Sequence, residues 1–134
     1  MLTVYIVDDS PMMRERLMEL MADLAGIEIV GQSGDPLEAL DSIKKSRPDV
    51  VILDIRLPRR SGIDVLKDIK KEPRAPTVIM ITNYPYRQYR QGCLAAGADY
   101  FFSKIDEFEK IRDTLVRIGP HRQNEIQNIG EDQK

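Results

Sequence analysis

Apolar residues in this chain gather in five short runs, and each run is followed by a stretch whose apolar positions recur every three or four residues. The runs are Leu2–Val7, Glu28–Gly31, Val50–Ile55, Thr77–Ile81 and Tyr100–Phe102. Three of them, Thr3–Val7, Val50–Leu53 and Val78–Ile81, are almost unbroken in β-branched or apolar side chains. Such runs suit strands covered on both faces, as in a parallel sheet, better than half-exposed strands that alternate apolar and polar.

The stretches between the runs read as helices. Ser10-Pro11 and Asp35-Pro36 each set a capping side chain before a proline at the first helical position. Met13, Leu17, Leu20, Met21 and Leu24 follow the first cap at helical spacing, and Gly26 is expected to end that helix. Leu37, Leu40 and Ile43 form a second stripe, and Ile63, Leu66 and Ile69 a third. A fourth helix is expected near Arg87–Ala96, and a fifth along Phe108, Ile111, Leu115 and Ile118, stopped by Gly119-Pro120.

Strands alternating with helices predict an α/β fold with right-handed crossovers. Five such units suit a flavodoxin-like, doubly wound, five-stranded parallel sheet in the order 2-1-3-4-5, with five helices. No internal repeat interrupts the series. Residues 1–119 are expected to form the one domain, and residues 120–134, where only Ile126 and Ile129 are apolar, a polar C-terminal tail with no output domain.

Composition narrows the picture. The 134 residues carry 20 basic and 22 acidic side chains, a formal charge of -2, which does not suggest a nucleic-acid binder. The single cysteine, Cys93, excludes an intramolecular disulfide and suits a reducing compartment. No apolar run approaches the roughly 20 residues that cross a bilayer. The expected location is cytoplasmic, without membrane contact.

The chemistry lies at the strand ends. In a sheet of this order, ligands sit beyond the carboxyl ends of the strands, at the switch point between strands 1 and 3. Asp8 and Asp9 end strand 1 and Asp54 ends strand 3, so one crevice gathers three carboxylates. Two carboxylates about 4 Å apart repel by roughly 4 kcal/mol at an effective dielectric of 20, so such a cluster needs a proton or a cation. Oxygen ligands with room for water suit Mg²⁺, with Mn²⁺ as a substitute. Thr82 at the end of strand 4 and Lys104 just after strand 5 add a hydroxyl donor and a cation. A carboxylate nucleophile, a metal site, a lysine and a hydroxyl are the parts that phosphoryl transfer needs.

Asp8-Asp9, Asp54, Thr82 and Lys104, with this spacing and strand-end placement, resemble the residue set of the CheY-like receiver domains of response regulators in two-component signalling. Leu57-Pro58, Ser61-Gly62 and Gly97-Ala98-Asp99 add to a likeness that covers nearly all of residues 1–119. The resemblance implies that Asp54 is the phosphoacceptor and that Asp9, Asp54 and the backbone carbonyl of Arg56 bind Mg²⁺, with Asp8 holding a metal-bound water. It implies that Lys104 and Thr82 contact the phosphoryl group, and that Phe101 is the aromatic switch partner of Thr82. The face made by helix 4, strand 5 and helix 5 would then change shape for a downstream protein. The donor would be a sensor histidine kinase or histidine phosphotransfer protein, since the lone His121 lies past the last helix. A homodimer formed on phosphorylation, no direct DNA binding, and self-catalysed phosphotransfer and autodephosphorylation in place of enzyme turnover complete the expectation.

Departures from the family pattern stand out. Ile105 follows the lysine where proline is usual, so a trans bond is expected there. Phe101 replaces the commoner tyrosine. Asn83-Tyr84-Pro85 replaces a small residue after the threonine, and Arg56 and Tyr84 are expected to flank the acceptor and set water access. Arg59-Arg60 reads as a solvated loop pair and Cys93 as structural. Tyr84, Tyr86 and Tyr89 read as an exposed aromatic patch with at least one ring packed. By spacing alone, Phe101 is core.

Rival functions fit less well. A flavodoxin-like cofactor binder would meet repulsion from Asp8-Asp9 where its phosphate should sit. A dehalogenase-type aspartyl-phosphate hydrolase would want an acid where Arg56 stands. A receiver-like binding module that signals without phosphorylation, or a receiver cut from a longer DNA-binding regulator, keeps the same fold.

Overall fold

A computed structural model describes residues 1–119. Five strands, β1 (Leu2–Val7), β2 (Ile27–Ser33), β3 (Val50–Asp54), β4 (Thr77–Thr82) and β5 (Tyr100–Ser103), form one sheet in the order β2-β1-β3-β4-β5. Every neighbouring pair is parallel. Helices α1 (Pro11–Met21), α2 (Pro36–Ser46), α3 (Gly62–Lys70) and α4 (Arg87–Ala95) connect the strands, and α5 occupies residues 108–119. The expected doubly wound order is the observed one. The expected tail of residues 120–134, the Pro120 stop and His121 lie outside the described residues.

The sheet separates two apolar layers. On one side Val7, Val51, Leu53, Val78 and Met80 pack with α2, α3 and Cys93 of α4. On the other, Val4, Ile6, Ile52, Ile79 and Ile81 pack with Leu17 and Met21 of α1 and with Ile111 and Leu115 of α5. Alternate residues of one strand therefore enter opposite cores, which is why β3 and β4 show no polar face.

The helix starts follow their caps. Ser10 Oγ accepts from Met13 N–H at 3.2 Å, Asp35 Oδ1 from Leu37 and Glu38 N–H at 2.8 and 3.1 Å, and Ser61 Oγ from Ile63 N–H at 3.0 Å. These are side-chain caps of otherwise orphaned first-turn donors.

Some boundaries differ from expectation. Helix α1 stops at Met21, so Leu24 and Gly26 lie beyond it. Gly26, at φ +80°, instead offers its carbonyl to Leu2 N–H at 2.7 Å and serves the sheet. Strand β2 is longer than Glu28–Gly31, because Ile27 pairs with Leu2 and the polar Gln32 and Ser33 pair with Ile6 and Val7. Its register slips opposite Val4 and Tyr5, where Gly31 lets the Tyr5 ring lie so close that a Cβ would meet it at 2.6 Å. Strand β3 ends at Asp54, one residue earlier than expected.

Candidate functional site

The carboxyl ends of β1, β3, β4 and β5 converge as the sheet order requires. The turn after β1 is pinned by its backbone: Asp8 N–H donates to Ser33 C=O at 3.0 Å, and Arg14 Nη1 donates to Asp8 C=O at 2.6 Å. Ser10 N–H holds Asp8 Oδ1 at 2.9 Å, which leaves Oδ2 turned inward. Asp54 closes β3 with its backbone pressed against Gly62, where any Cβ would collide with the Asp54 carbonyl. Arg56 N–H donates to Asp54 Oδ1 at 3.3 Å.

Lys104 comes in from the far strand. Its backbone N–H donates to Thr82 C=O at 2.8 Å, and Ser103 Oγ accepts from Ile105 and Asp106 N–H at 3.2 and 3.3 Å, which shapes the following loop. No peptide bond among the described residues is cis, so Lys104–Ile105 is trans. The ammonium lies 2.6 Å from Asp8 Oδ2 and 3.2 Å from Asp54 Oδ2. All three side chains are almost wholly buried.

Asp8, Asp9 and Asp54 bring oxygen atoms within 4.8 Å of one another, Asp9 from an exposed position. Asp8 and Asp54 thus share one ammonium, with the Asp9 carboxylate beside them. Asp8 Oδ2 is buried against the Lys104 ammonium and has no other polar partner among the described residues. Burial pushes the Asp54 carboxyl up to about 6; attraction to Lys104 opposes this and repulsion from Asp8 adds to it. Hard oxygen donors, surplus negative charge and a buried oxygen whose one cationic partner is shared with Asp54 together fit a divalent cation.

Thr82 is buried, with its Oγ1 accepting from Tyr84 N–H at 2.9 Å. Phe101 is buried in the layer beneath α4, with the Arg90 guanidinium 5.8 Å from its ring centre. Arg56 and Tyr84 meet: the guanidinium stands 4.0 Å over the Tyr84 ring. Tyr84 stacks on Tyr86 at 6.1 Å and Tyr86 leans on Tyr89 at 5.7 Å. Tyr84 and Tyr86 are exposed, whereas Tyr89 packs against the core. Cys93 is buried and burial pushes its thiol up to about 11, so it stays protonated as a packing group.

Arg59 is exposed and Arg60 partly so, as a solvated loop pair should be, but each also makes an ion pair that the loop sequence does not show. Arg59 pairs with the Asp35 oxygen left over from capping α2, and Arg60 pairs with Asp68 at 2.8 Å. An open cleft of about 490 Å³ lies beside them, lined by Arg56, Ser61, Ile63 and Tyr89. A larger cleft, about 820 Å³, opens at the opposite end of the sheet between α2 and α3 and contains none of the clustered acids. The residues that sequence reasoning missed are Arg14 and Ser103. Neither belongs to a motif, and their use depends on contacts made only in the fold.

The response regulator receiver domain model matches residues 4–116. A protein-glutamate methylesterase/protein-glutamine glutaminase from Methanospirillum hungatei is 33% identical over 131 residues, 96% of this chain and 37% of that protein. The transcriptional regulatory protein BtsR of Escherichia coli is 34% identical over 125 residues, 91% of this chain and 50% of BtsR. The chain thus spans half or less of the length of these relatives. Among solved structures, the response regulator domain of Thermotoga maritima CheB is similar with a TM-score of 0.77 and 28% identity, covering 92% of this chain and 96% of that one. A CheX–CheY–BeF3–Mg²⁺ complex from Borrelia burgdorferi is similar with a TM-score of 0.77 and 29% identity, covering 87% and 88%.

Proposed function

The chain belongs to the response regulator receiver domain family, and from that membership we propose that Asp54 accepts a phosphoryl group from a partner phosphohistidine. The observation that carries this reading is the buried Lys104 ammonium, held between Asp8 and Asp54 at 2.6 and 3.2 Å in a cluster of three carboxylates that it alone does not neutralise. A buried charge cluster of this kind costs stability and is at home in a site that handles charge.

Asp9, Asp54 and the Arg56 carbonyl would hold Mg²⁺ or Mn²⁺, with Asp8 reaching it through water. Bound there, the cation supplies neutralisation of the phosphoryl oxygens' charge. The chain's own groups do the rest. With its carboxyl near 6, Asp54 is largely ionised above neutrality and able to attack. As its oxygen bonds to phosphorus, the phosphorus–nitrogen bond of the donor breaks and the electron pair returns to the imidazole. Lys104 follows the negative charge from the carboxylate to a phosphoryl oxygen, and the Thr82 hydroxyl donates to another.

Lys104 leads to β5 and Thr82 closes β4, so both would carry the change toward Phe101 and the α4–β5–α5 face. A downstream protein reading that face, a histidine kinase or phosphotransfer protein as donor, and a homodimer of the phosphorylated form are the partners this reading implies. No DNA contact and a cytoplasmic setting go with it. The chain itself would be a phosphoacceptor with self-catalysed transfer and loss of phosphate, and residues 1–119 would be the whole of the receiver. The length of the relatives favours a second reading of context, in which this receiver serves a longer regulator.

Intact mass after incubation with a small acyl-phosphate donor tests the proposal. A single phosphoryl adduct that requires Mg²⁺ and disappears in Asp54→Asn is expected. An adduct that survives in Asp54→Asn would refute the choice of acceptor.

A further inference from the structure

Arg56 begins at the acceptor and ends on a tyrosine. Its backbone N–H is bonded to Asp54 Oδ1, while its exposed guanidinium lies 4.0 Å over the Tyr84 ring, beside the cleft that Tyr89 also lines. No carboxylate pairs with it among the described residues, unlike its neighbours Arg59 and Arg60. It is a cation rooted next to the reacting group and parked on an aromatic ring.

Phosphorylation changes what surrounds that cation. A phosphoryl group on Asp54 would esterify a carboxylate oxygen, whose charge is partly met by Lys104, and bring three acceptor oxygens and a charge of about -1.5 to -2. A guanidinium fork on phosphate oxygens is stronger than a cation–π contact at an exposed site. The arginine side chain hinges on the same residue whose amide already touches Asp54, so the exchange needs rotation of side-chain bonds only.

Resting on the phosphoacceptor reading above, we propose that the Arg56 side chain is a second phosphoryl-binding group, held by Tyr84 in the resting chain and transferred to the phosphoryl group on Asp54. Its departure uncovers one face of the Tyr84 ring and loosens the stack that continues through Tyr86 to Tyr89 on α4. Tyr84's backbone stays tied to Thr82 Oγ1, so the ring is freed and the loop is not. The partly exposed ladder, with Tyr84 at 39% and Tyr86 at 52%, becomes an aromatic surface that reports the state of Asp54 by a route separate from Phe101.

The test uses beryllofluoride with Mg²⁺ as the phosphoryl mimic, with affinity measured by calorimetry and isotope-labelled tyrosine rings followed by NMR. Wild type should show the Tyr84 ring moving on addition of the mimic, with smaller shifts at Tyr86 and Tyr89. In Arg56→Ala the ring should already sit at the shifted position and move no further, and the mimic should bind about ten- to a hundred-fold more weakly. Tyr84→Leu, which removes the competitor, should bind the mimic about two- to five-fold more tightly. A merely structural role for the pair would weaken binding in both variants. If the ring moves as much in Arg56→Ala as in wild type, or Tyr84→Leu binds more weakly, the proposal is wrong. Intact mass with an acyl-phosphate donor separates the two levels. An adduct on Asp54 with a motionless Tyr84 ring overturns this inference alone, and absence of any adduct or mimic binding overturns the acceptor assignment and this inference together.

Discussion

At the N-terminal ends of the strands, Asp49 accepts from Thr3 N–H at 2.8 Å and from Thr3 Oγ1–H at 3.1 Å, and Asp99 accepts from Lys70 Nζ at 2.7 Å and Val78 N–H at 2.8 Å. At the C-terminal ends, Asp8 and Asp54 share one lysine, and Asp9 adds a third carboxylate to the cluster. The residue types are the same at both ends, and the sheet is the same. What differs is closure: each acid at the lower end has local donors from a neighbouring strand, whereas the acids at the upper end share one cation and leave charge over. The lower end uses carboxylates to stitch strands together. The upper end keeps them in a state that a divalent cation relieves.

The largest effect should come from removing the shared cation. Lys104→Met keeps the length of the side chain but leaves Asp8 and Asp54 buried together without compensation, a change expected to cost about 3–5 kcal/mol at neutral pH. Urea denaturation measures it. The loss should shrink in acid, where Asp54 protonates, and a loss below about 1 kcal/mol at neutral pH would mean that the ion pairs are solvated in solution.

Next in size, and opposite in sign, is Asp54→Asn. The folded carboxyl sits near 6 against an ordinary 3.8, so folding takes up a proton between those values. The protonated group's contribution is fully present below about 4 and is lost as pH rises through 6. An ionised Asp54 therefore holds the resting fold down by up to about 3 kcal/mol above neutrality. The asparagine variant should be more stable than wild type by about 1–3 kcal/mol at pH near 7.5, and the gain should vanish near pH 4. Equal stability at both pH values would show that burial does not strain this carboxylate.

The lower end should respond in the ordinary way. Asp99→Ala strips a partner from Val78 N–H and from Lys70, and is expected to destabilise by about 1–2 kcal/mol, as lost hydrogen bonds do. The comparison predicts opposite signs for removing one acid at each end. A stabilising Asp99→Ala would break it.

That contrast was only half legible in the residues. The strands were, because β3 and β4 feed both cores and carry no polar face, and the acids at their ends followed from the sheet order. The edge strand β2 was underestimated, since Gln32 and Ser33 are polar and only backbone pairing with β1 makes them strand. Gly26 looked like a helix stop and serves the sheet, because local sequence does not say which carbonyl a distant Leu2 amide will use. At the site, Asp8-Asp9, Asp54, Thr82 and Lys104 were readable as a set. Which acid would be buried and which exposed was not, because Arg14 and Ser10 turn Asp8 inward through contacts of the folded chain. The salt bridges of Arg59 and Arg60 were hidden for the same reason: their partners stand on other elements.

The smallest expected effect is the one that most sharpens the comparison. Mg²⁺ at ten times its dissociation constant should raise the stability of the wild-type chain by about 1.4 kcal/mol, the increment for one ligand that binds only the folded state. Asp9 is exposed, so Asp9→Asn should alter stability without Mg²⁺ by no more than about 0.5 kcal/mol. It should nevertheless abolish most of the Mg²⁺ increment, because it removes one carboxylate from the upper cluster. Asp99→Ala, already weakened, should keep the full increment, since its acid belongs to a closed pair at the far end. Thermal melts of the three proteins with and without Mg²⁺ decide the matter. If Asp9→Asn keeps the increment while Asp99→Ala loses it, the cation is held at the lower end and the division of labour between the two edges of the sheet is the reverse of the one argued above.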